Sequence, residues 1–302
     1  MFRTTASLLC ILAFAGCTDG TGGGSIGSGG NLDHIPDALK MNVEGVSYHA
    51  SSDTLVLRLN GVDGGPQDLT YRRNAALDVA HYHAFTYQDD PLDRHFTALV
   101  AQSTDGSVMA GAVADGGQFN RYYGGGFFQR TGGYNAPPTA SGQVSYAGDY
   151  AGVTNIAGAG GNLLPVPAGT DPAIVPGQSA RVEGDIFINV NFGDNVVNGS
   201  VYNRRMVETP TVTLPDVVLV PSTISSDGIF TGTVEFDGTV GNSVGSYGGI
   251  FGGTNAHSVA GTLTLNDVDN NIYNWTGDEE IGVFVLTQCG QAGDDPICDT
   301  LN

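Results

Sequence analysis

The sequence predicts an all-β protein: a β-rich, handle-like N-terminal module followed by an eight-stranded antiparallel up-and-down β-barrel. Three observations carry this. Apolar and polar residues alternate through most of the chain, and no convincing amphipathic helix interrupts them. The 46 glycines and 13 prolines punctuate that alternation at short intervals, as turn-rich β proteins require. After the Gly/Pro-rich stretch Gly132–Thr139, eight strand-like runs follow one another with short connections. The 302 residues leave room for two modest domains.

The eight runs are expected at about 142–154, 181–192, 195–204, 215–224, 228–236, 244–252, 258–265 and 280–288. Gly193-Asp194-Asn195 and Ser226-Asp227-Gly228 have hairpin chemistry, and short hairpins favour a closed up-and-down barrel over a sandwich with long crossings. Read at every second residue, the second run gives Val182, Gly184, Ile186, Ile188 and Val190. The third gives Val197, Gly199 and Val201, the fifth Phe230, Gly232, Val234 and Phe236, and the seventh Val259, Gly261, Leu263 and Leu265. The opposite faces carry Glu183 and Asp185, Thr231 and Thr233, or Ser258, Thr262 and Thr264. The apolar face is the core face. A glycine among bulky inward residues lets a strand coil around a narrow barrel and makes room for a large side chain opposite. The barrel interior is therefore expected to be filled, and function is expected on loops and outer surfaces.

In the first module, strands are expected at 43–50, 53–60, 75–88, 94–102, 107–114 and 118–130, with Asp89–Asp93 as a turn. Phe119, Tyr122, Tyr123, Phe127, Phe128 and Tyr134 form an aromatic-rich approach to the barrel.

The chain opens with Arg3, an apolar run from Ala6 to Ala15 too short to span a bilayer, and Ala15-Gly16-Cys17. This resembles a bacterial lipobox. Residues 1–16 read as a signal peptide, Cys17 as the lipidated N-terminus, and 17–30 as a Gly-rich tether. Thr18 rather than Asp after the cysteine points to the outer membrane. Cys289 and Cys298 remain as an isolated pair, which an oxidising compartment would join as a disulfide closing the 289–302 tail. The expected divisions between are 31–138 for the N-terminal module and 139–288 for the barrel. With 31 acidic against 11 basic residues, a net charge of −20 and Lys40 as sole lysine, the chain lacks the basic density that nucleic-acid binding requires. The same balance disfavours docking on an anionic membrane by charge.

The lipobox, the tether, the β-rich first module and the barrel together resemble the surface lipoproteins related to transferrin-binding protein B. Barrels of that family carry a motif like Gly-x-Phe-Phe-Gly-Pro-x-Ala-x-Glu-Val-x-Gly near their end. Gly249-Ile250-Phe251-Gly252-Gly253-Thr254-Asn255-Ala256-His257-Ser258-Val259-Ala260-Gly261 is similar to it: Gly252, Asn255, Ala256, Val259 and Gly261 fit, the Pro is missing, and Ser258 replaces the Glu. Tyr146-Ala147-Gly148-Asp149-Tyr150-Ala151-Gly152 resembles the opening barrel strand. The resemblance covers about half the chain, roughly 150 residues. It implies an outer-membrane lipoprotein, exposed at the cell surface and exported by a dedicated surface-lipoprotein translocon. Relatives bind host transferrin, haemoglobin, haem carriers or complement regulators. This chain has one barrel module, where the transferrin binder has two lobes.

No motif for nucleophilic catalysis, phosphate cradling or dinucleotide binding is present, so no enzyme activity and no cofactor are expected. The leading expectation is a non-catalytic binding protein for a macromolecule or solute. One alternative is an uptake accessory that binds haem or metal through His81 and His83, which share a face if His81-Tyr82-His83 is a strand. His95 would lie too far along the paired strand to complete a trio. The other alternative is a structural or adhesive coat protein. Asp267-Val268-Asp269-Asn270-Asn271 resembles the start of an EF-hand loop, but Ile272 and Asp278 stand where Gly and Glu belong, so an acidic turn is expected. Two candidate interaction surfaces remain. The long 156–178 loop carries Leu163 and Leu164, and Trp275 lies beside Tyr273 between the last two strands.

Overall fold

The computed structural model describes residues 26–61, 65–138 and 142–300. The leader, Cys17 and the Gly-rich run up to residue 25 lie outside the described residues. The first module is an antiparallel meander of eight strands in chain order: β1 (Ile26–Asn31), β2 (Val43–His49), β3 (Thr54–Leu59), β4 (Gln67–Arg73), β5 (His83–Tyr87), β6 (Phe96–Gln102), β7 (Val108–Asp115) and β8 (Gly124–Arg130). One helical turn, α1 (Asp37–Lys40), lies between β1 and β2. The meander curls round: Asn42, at the start of β2, donates its N–H to the Gly124 carbonyl and accepts the Gly124 N–H on its side chain.

The second module is a closed barrel of β9 (Gln143–Ala157), β10 (Ser179–Asn191), β11 (Val196–Met206), β12 (Val217–Thr223), β13 (Ile229–Phe236), β14 (Ser243–Gly252), β15 (Ser258–Leu265) and β16 (Glu280–Thr287). Every strand pairs antiparallel with its chain neighbour, and β16 closes on β9. The eight expected runs are these eight strands.

The first module holds two strands that the alternation did not single out. Residues 26–30, the end of the Gly-rich run, lie in β1 and pair with β2, so this part of the run is sheet rather than free tether. β4 turns only Leu69 and Tyr71 inward, with charged or polar neighbours between, which leaves a weak apolar signal. The expected strand 75–88 is a strand only from His83. Its first half is a 3-10 turn at Ala75–Leu77 and a tight turn in which Val79 and Tyr82 exchange backbone hydrogen bonds around Ala80. Asp78 fixes that turn. It accepts two bonds of 2.6 Å from Arg73 and one of 2.8 Å from the Ala84 N–H.

The barrel interior is filled. Tyr146, Phe192 and Phe230 pack around Phe251 in tilted and edge-to-face contacts, with centroids 5.1–5.6 Å from its ring. The inward glycines make room for such rings. A side chain on Gly232 would strike the Tyr247 ring, one on Gly261 the Phe284 ring, and one on Gly282 the Tyr150 ring. Each aromatic thus covers the backbone of a glycine on a neighbouring strand.

The two modules share a core. Ala151, Val153, Ile250, Ala260, Ile281, Val283 and Val285 leave the barrel's outer face and join the apolar cluster of the first module. All residues of β15 and β16 are buried, because one face fills the barrel and the other meets β7 and β8. The polar face of β15, with Ser258, Thr262 and Thr264, is buried in this interface. Close approach depends on small residues: a side chain on Gly126 would lie 2.7 Å from Thr262, and one on Gly124 2.7 Å from Ile281. Among the described residues no helix is long and apolar enough to cross a membrane.

Gly261→Ala would place a methyl group against both the Phe284 ring and the Gly248 carbonyl. A loss of about 1–3 kcal/mol is expected in urea unfolding. Gly133→Ala, with open space around it, is expected to change stability by less than about 0.5 kcal/mol.

Candidate binding site

At one end of the first module, β7 and β8 are joined through a two-residue hairpin. Gln118 and Arg121 exchange both backbone hydrogen bonds, at 3.0 and 3.1 Å, and Phe119 and Asn120 occupy the turn with φ of 54° each. Two positive φ values define the turn type that suits Asn-Gly. Asn120 tolerates this conformation. Phe119 does so at a cost of about 1–2 kcal/mol, and the residue is 61% exposed. A bulky residue held in the left-handed region and turned to solvent is a strained position of the kind that clusters at functional sites.

The hairpin is rigidly held. Arg94 donates to the Arg121 carbonyl (2.9 Å), to the Gln118 carbonyl (2.9 Å) and to the Asp115 carboxylate, and its guanidinium lies 4.6 Å over the Tyr123 ring. Asp115 is buried and also accepts the Tyr123 N–H. Burial pushes its carboxyl up from the ordinary value, against the opposing pull of these donors. Gln118 donates its side-chain amide to the carbonyls of Leu92 (2.8 Å) and Ile174 (2.7 Å). Below Phe119 opens a cleft of about 690 Å³ lined by Leu69, Tyr87, Phe96 and Tyr123, with Arg94 and Arg121 at its side. Arg121 is exposed. Aromatic and arginine side chains on a preorganised frame are the composition of an interaction hot spot.

The 156–178 loop is a strap across the first module. Leu164 donates its N–H to Gln88, Asn162 accepts from Asn74, Gly177 donates to the Gly117 carbonyl, and Ile174 meets Gln118. Leu163 is half-buried and Leu164 is 38% exposed. Tyr273 and Trp275 stack at 5.1 Å and pack, half-buried, against the barrel core, with the Tyr273 hydroxyl donating to the Thr213 carbonyl. The structure therefore does not bring Leu163, Leu164, Tyr273 and Trp275 together.

His81 lies in the turn before β5, not on the strand. Its Nδ1 is 3.2 Å from Asp149 of the barrel, whereas His83 Nδ1 is 3.1 Å from Asp53 in the β2–β3 turn. The two imidazoles face different carboxylates. Tyr82 between them is fully buried and ties the modules together, donating to the Asp149 carbonyl and accepting the Val285 N–H. His95 is buried beneath the strap, and burial lowers its pKa to about 4. Asp267, Asp269 and Asp278 do gather, with carboxylate oxygens within 4.8 Å of one another. Turn N–H groups of Val268, Asn271 and Tyr273 already occupy Asp278 and Asp269. Cys289 and Cys298 are joined as a disulfide with Cα atoms 5.4 Å apart.

One ionic group lies inside the barrel. Arg204 and Glu280 are buried and paired at 2.6 Å, and Tyr150 donates to the other Glu280 oxygen at 2.5 Å. Burial pushes the Tyr150 phenol well above its ordinary value. Arg204 also donates to the Pro215 carbonyl.

No protein-family model matches the chain, and no curated protein matches it in sequence. Among solved structures, a variant of transferrin-binding protein B from Haemophilus parasuis is 11% identical with a TM-score of 0.41, covering 81% of this chain and 53% of that one. A variant from Actinobacillus pleuropneumoniae is 16% identical at 0.35, covering 62% and 79%. The isotype 1 protein from serogroup B Neisseria meningitidis is 16% identical at 0.36, covering 83% and 42%. The chain spans about half the length of the first solved structures it resembles.

Two measurements follow from these groups. Glu280→Ala leaves Arg204 buried without a counter-charge, and a loss of about 3–5 kcal/mol is expected in chemical denaturation. Arg204→Met combined with Glu280→Leu is expected to recover most of it. For His95, the folded pKa of about 4 lies below the ordinary 6.5. Between these values the unfolded chain takes up a proton that the folded one refuses. Stability is therefore expected to fall as pH drops from about 6.5 to about 4, by up to about 3 kcal/mol. His95→Gln should flatten that slope in urea titrations at several pH values.

Proposed function

We propose that this is a non-catalytic binding protein that takes a protein ligand at the Phe119 end of its first module. It is displayed on the outer face of the outer membrane, held by a lipid on Cys17. The observation that carries the reading is the exposed Phe119 ring, kept at a φ of 54° by the Arg94–Asp115 clamp above an aromatic-lined cleft. A fold gains nothing from an outward aromatic in a strained conformation, whereas a partner with an apolar pocket does. Arg121, beside it, offers a cation for a carboxylate on the partner. The filled barrel interior supports a role on the surface rather than carriage of a ligand inside. The sequence features around Cys17 support the anchor, and the high acidity supports solubility of a displayed domain.

Phe119→Asn separates binding from folding. Relief of the left-handed Phe is expected to raise stability by about 1 kcal/mol. The same variant, immobilised beside the parent protein, is expected to lose a protein captured from the fluid that bathes the cells. Equal capture by both would rule out Phe119 as the anchor. Proteolysis of intact cells is expected to remove the chain from the surface, and full protection would rule out display.

A further inference from the structure

We propose that the cleft where β9, β10 and β11 meet is a second binding site, for a small organic cation that also carries a neutral oxygen acceptor. The cleft has a volume of about 450 Å³, within the range of small-molecule sites. It opens at a break in the β10–β11 ladder. The register shifts between Glu183 and Asp185, and Asn203 adopts a φ of 54°, so β11 carries an extra residue there. Gly184 stands at the break: a side chain on it would meet the Tyr202 carbonyl at 2.9 Å and Arg204 at 3.2 Å.

The rim is negative in a way the fold does not compensate. Asp149 and Asp185 are direct cross-strand partners, and like charges directly opposite one another destabilise a sheet. Asp216 joins them at the cleft. Glu183 has its own cation, Arg205, at 2.8 Å. The three aspartates have weaker partners: Asp185 accepts from the Asn203 amide, Asp216 from the Asn203 N–H, and the Asp149 carboxylate meets the exposed His81.

The floor supplies the opposite requirement. Arg204 lines the cleft and is only 1% exposed. Its two terminal nitrogens are committed to Glu280 and to the Pro215 carbonyl, while its Nε–H is buried and meets no acceptor among the described residues. A buried donor without a partner is costly, and an oxygen from a bound molecule would satisfy it. Glu280 already neutralises Arg204, and three aspartates surround the mouth, so a neutral carbonyl or hydroxyl fits there better than a carboxylate. A bare divalent ion does not fit, because the carboxylates that converge within ligating distance among the described residues are those of Asp267, Asp269 and Asp278 instead.

The test is isothermal titration calorimetry of the purified protein with L-argininamide, which joins a guanidinium and an ammonium to one amide carbonyl. Saturable binding is expected, and agmatine, which lacks the carbonyl, should bind at least about tenfold more weakly. Asp149→Asn combined with Asp185→Asn should weaken argininamide by at least about tenfold, and either single change should raise the melting temperature of the unliganded protein. No binding, equal affinity for agmatine, or unchanged affinity in the double variant would overturn the site. Calcium that displaces argininamide and binds more tightly would overturn the ligand class.

Discussion

The close approach of two sheets governs this structure. The outer face of β15 carries Ser258, Ala260, Thr262 and Thr264, and β8 brings Gly126 against Thr262 and Gly124 against Ile281 of β16. With Gly124 and Gly126 at this contact, the backbones come near enough for β7, β8, β15 and β16 to lose water from both faces. A larger residue at Gly126 would collide with Thr262. The apolar cluster of the first module consequently runs through the interface into the wall of the barrel, and the two modules behave as one packed body.

That packing decides where chemistry can occur. The barrel has one face filled by its own aromatic rings and another covered along β15 and β16, which leaves the far strands, β10 to β13, and the strand ends exposed to solvent. The first module has its free end at the β7–β8 hairpin. There the chain tolerates a left-handed Phe119, because Arg94, itself paired with Asp115, holds the Gln118 and Arg121 carbonyls and Gln118 holds those of Leu92 and Ile174. The 156–178 strap reaches from the barrel to this same hairpin through Ile174 and Gly177, so the presentation of Phe119 depends on both modules.

Two buried polar groups tie together elements distant in sequence. Glu280 on β16 meets Arg204 on β11 and Tyr150 on β9. Tyr82 of the first module meets the backbone of β9 and β16. These bonds select one arrangement of strands, since a slip of one residue would turn Arg204 or Glu280 to the outside.

The barrel was readable from sequence because its inward residues alternate with polar ones and a glycine stands among them on several strands. β4 was hard to read because Gln67–Arg73 turns only Leu69 and Tyr71 inward. The 75–82 segment looked like strand because it is apolar, yet the Arg73–Asp78 pair and the positive φ at Ala80 make it a turn. The aromatic run beginning at Phe119 was visible as composition, but nothing local distinguishes an exposed Phe119 from a buried Phe127. The sequence by itself determined the barrel strands, the closed barrel and the filled interior, since these rest on period-two patterning within each strand. Only the tertiary structure decided that Ser258, Thr262 and Thr264 are buried, that His81 and His83 part toward different carboxylates, and that Asp149 faces Asp185. Those outcomes depend on which distant surface covers each face, and strand alternation carries no record of the covering partner.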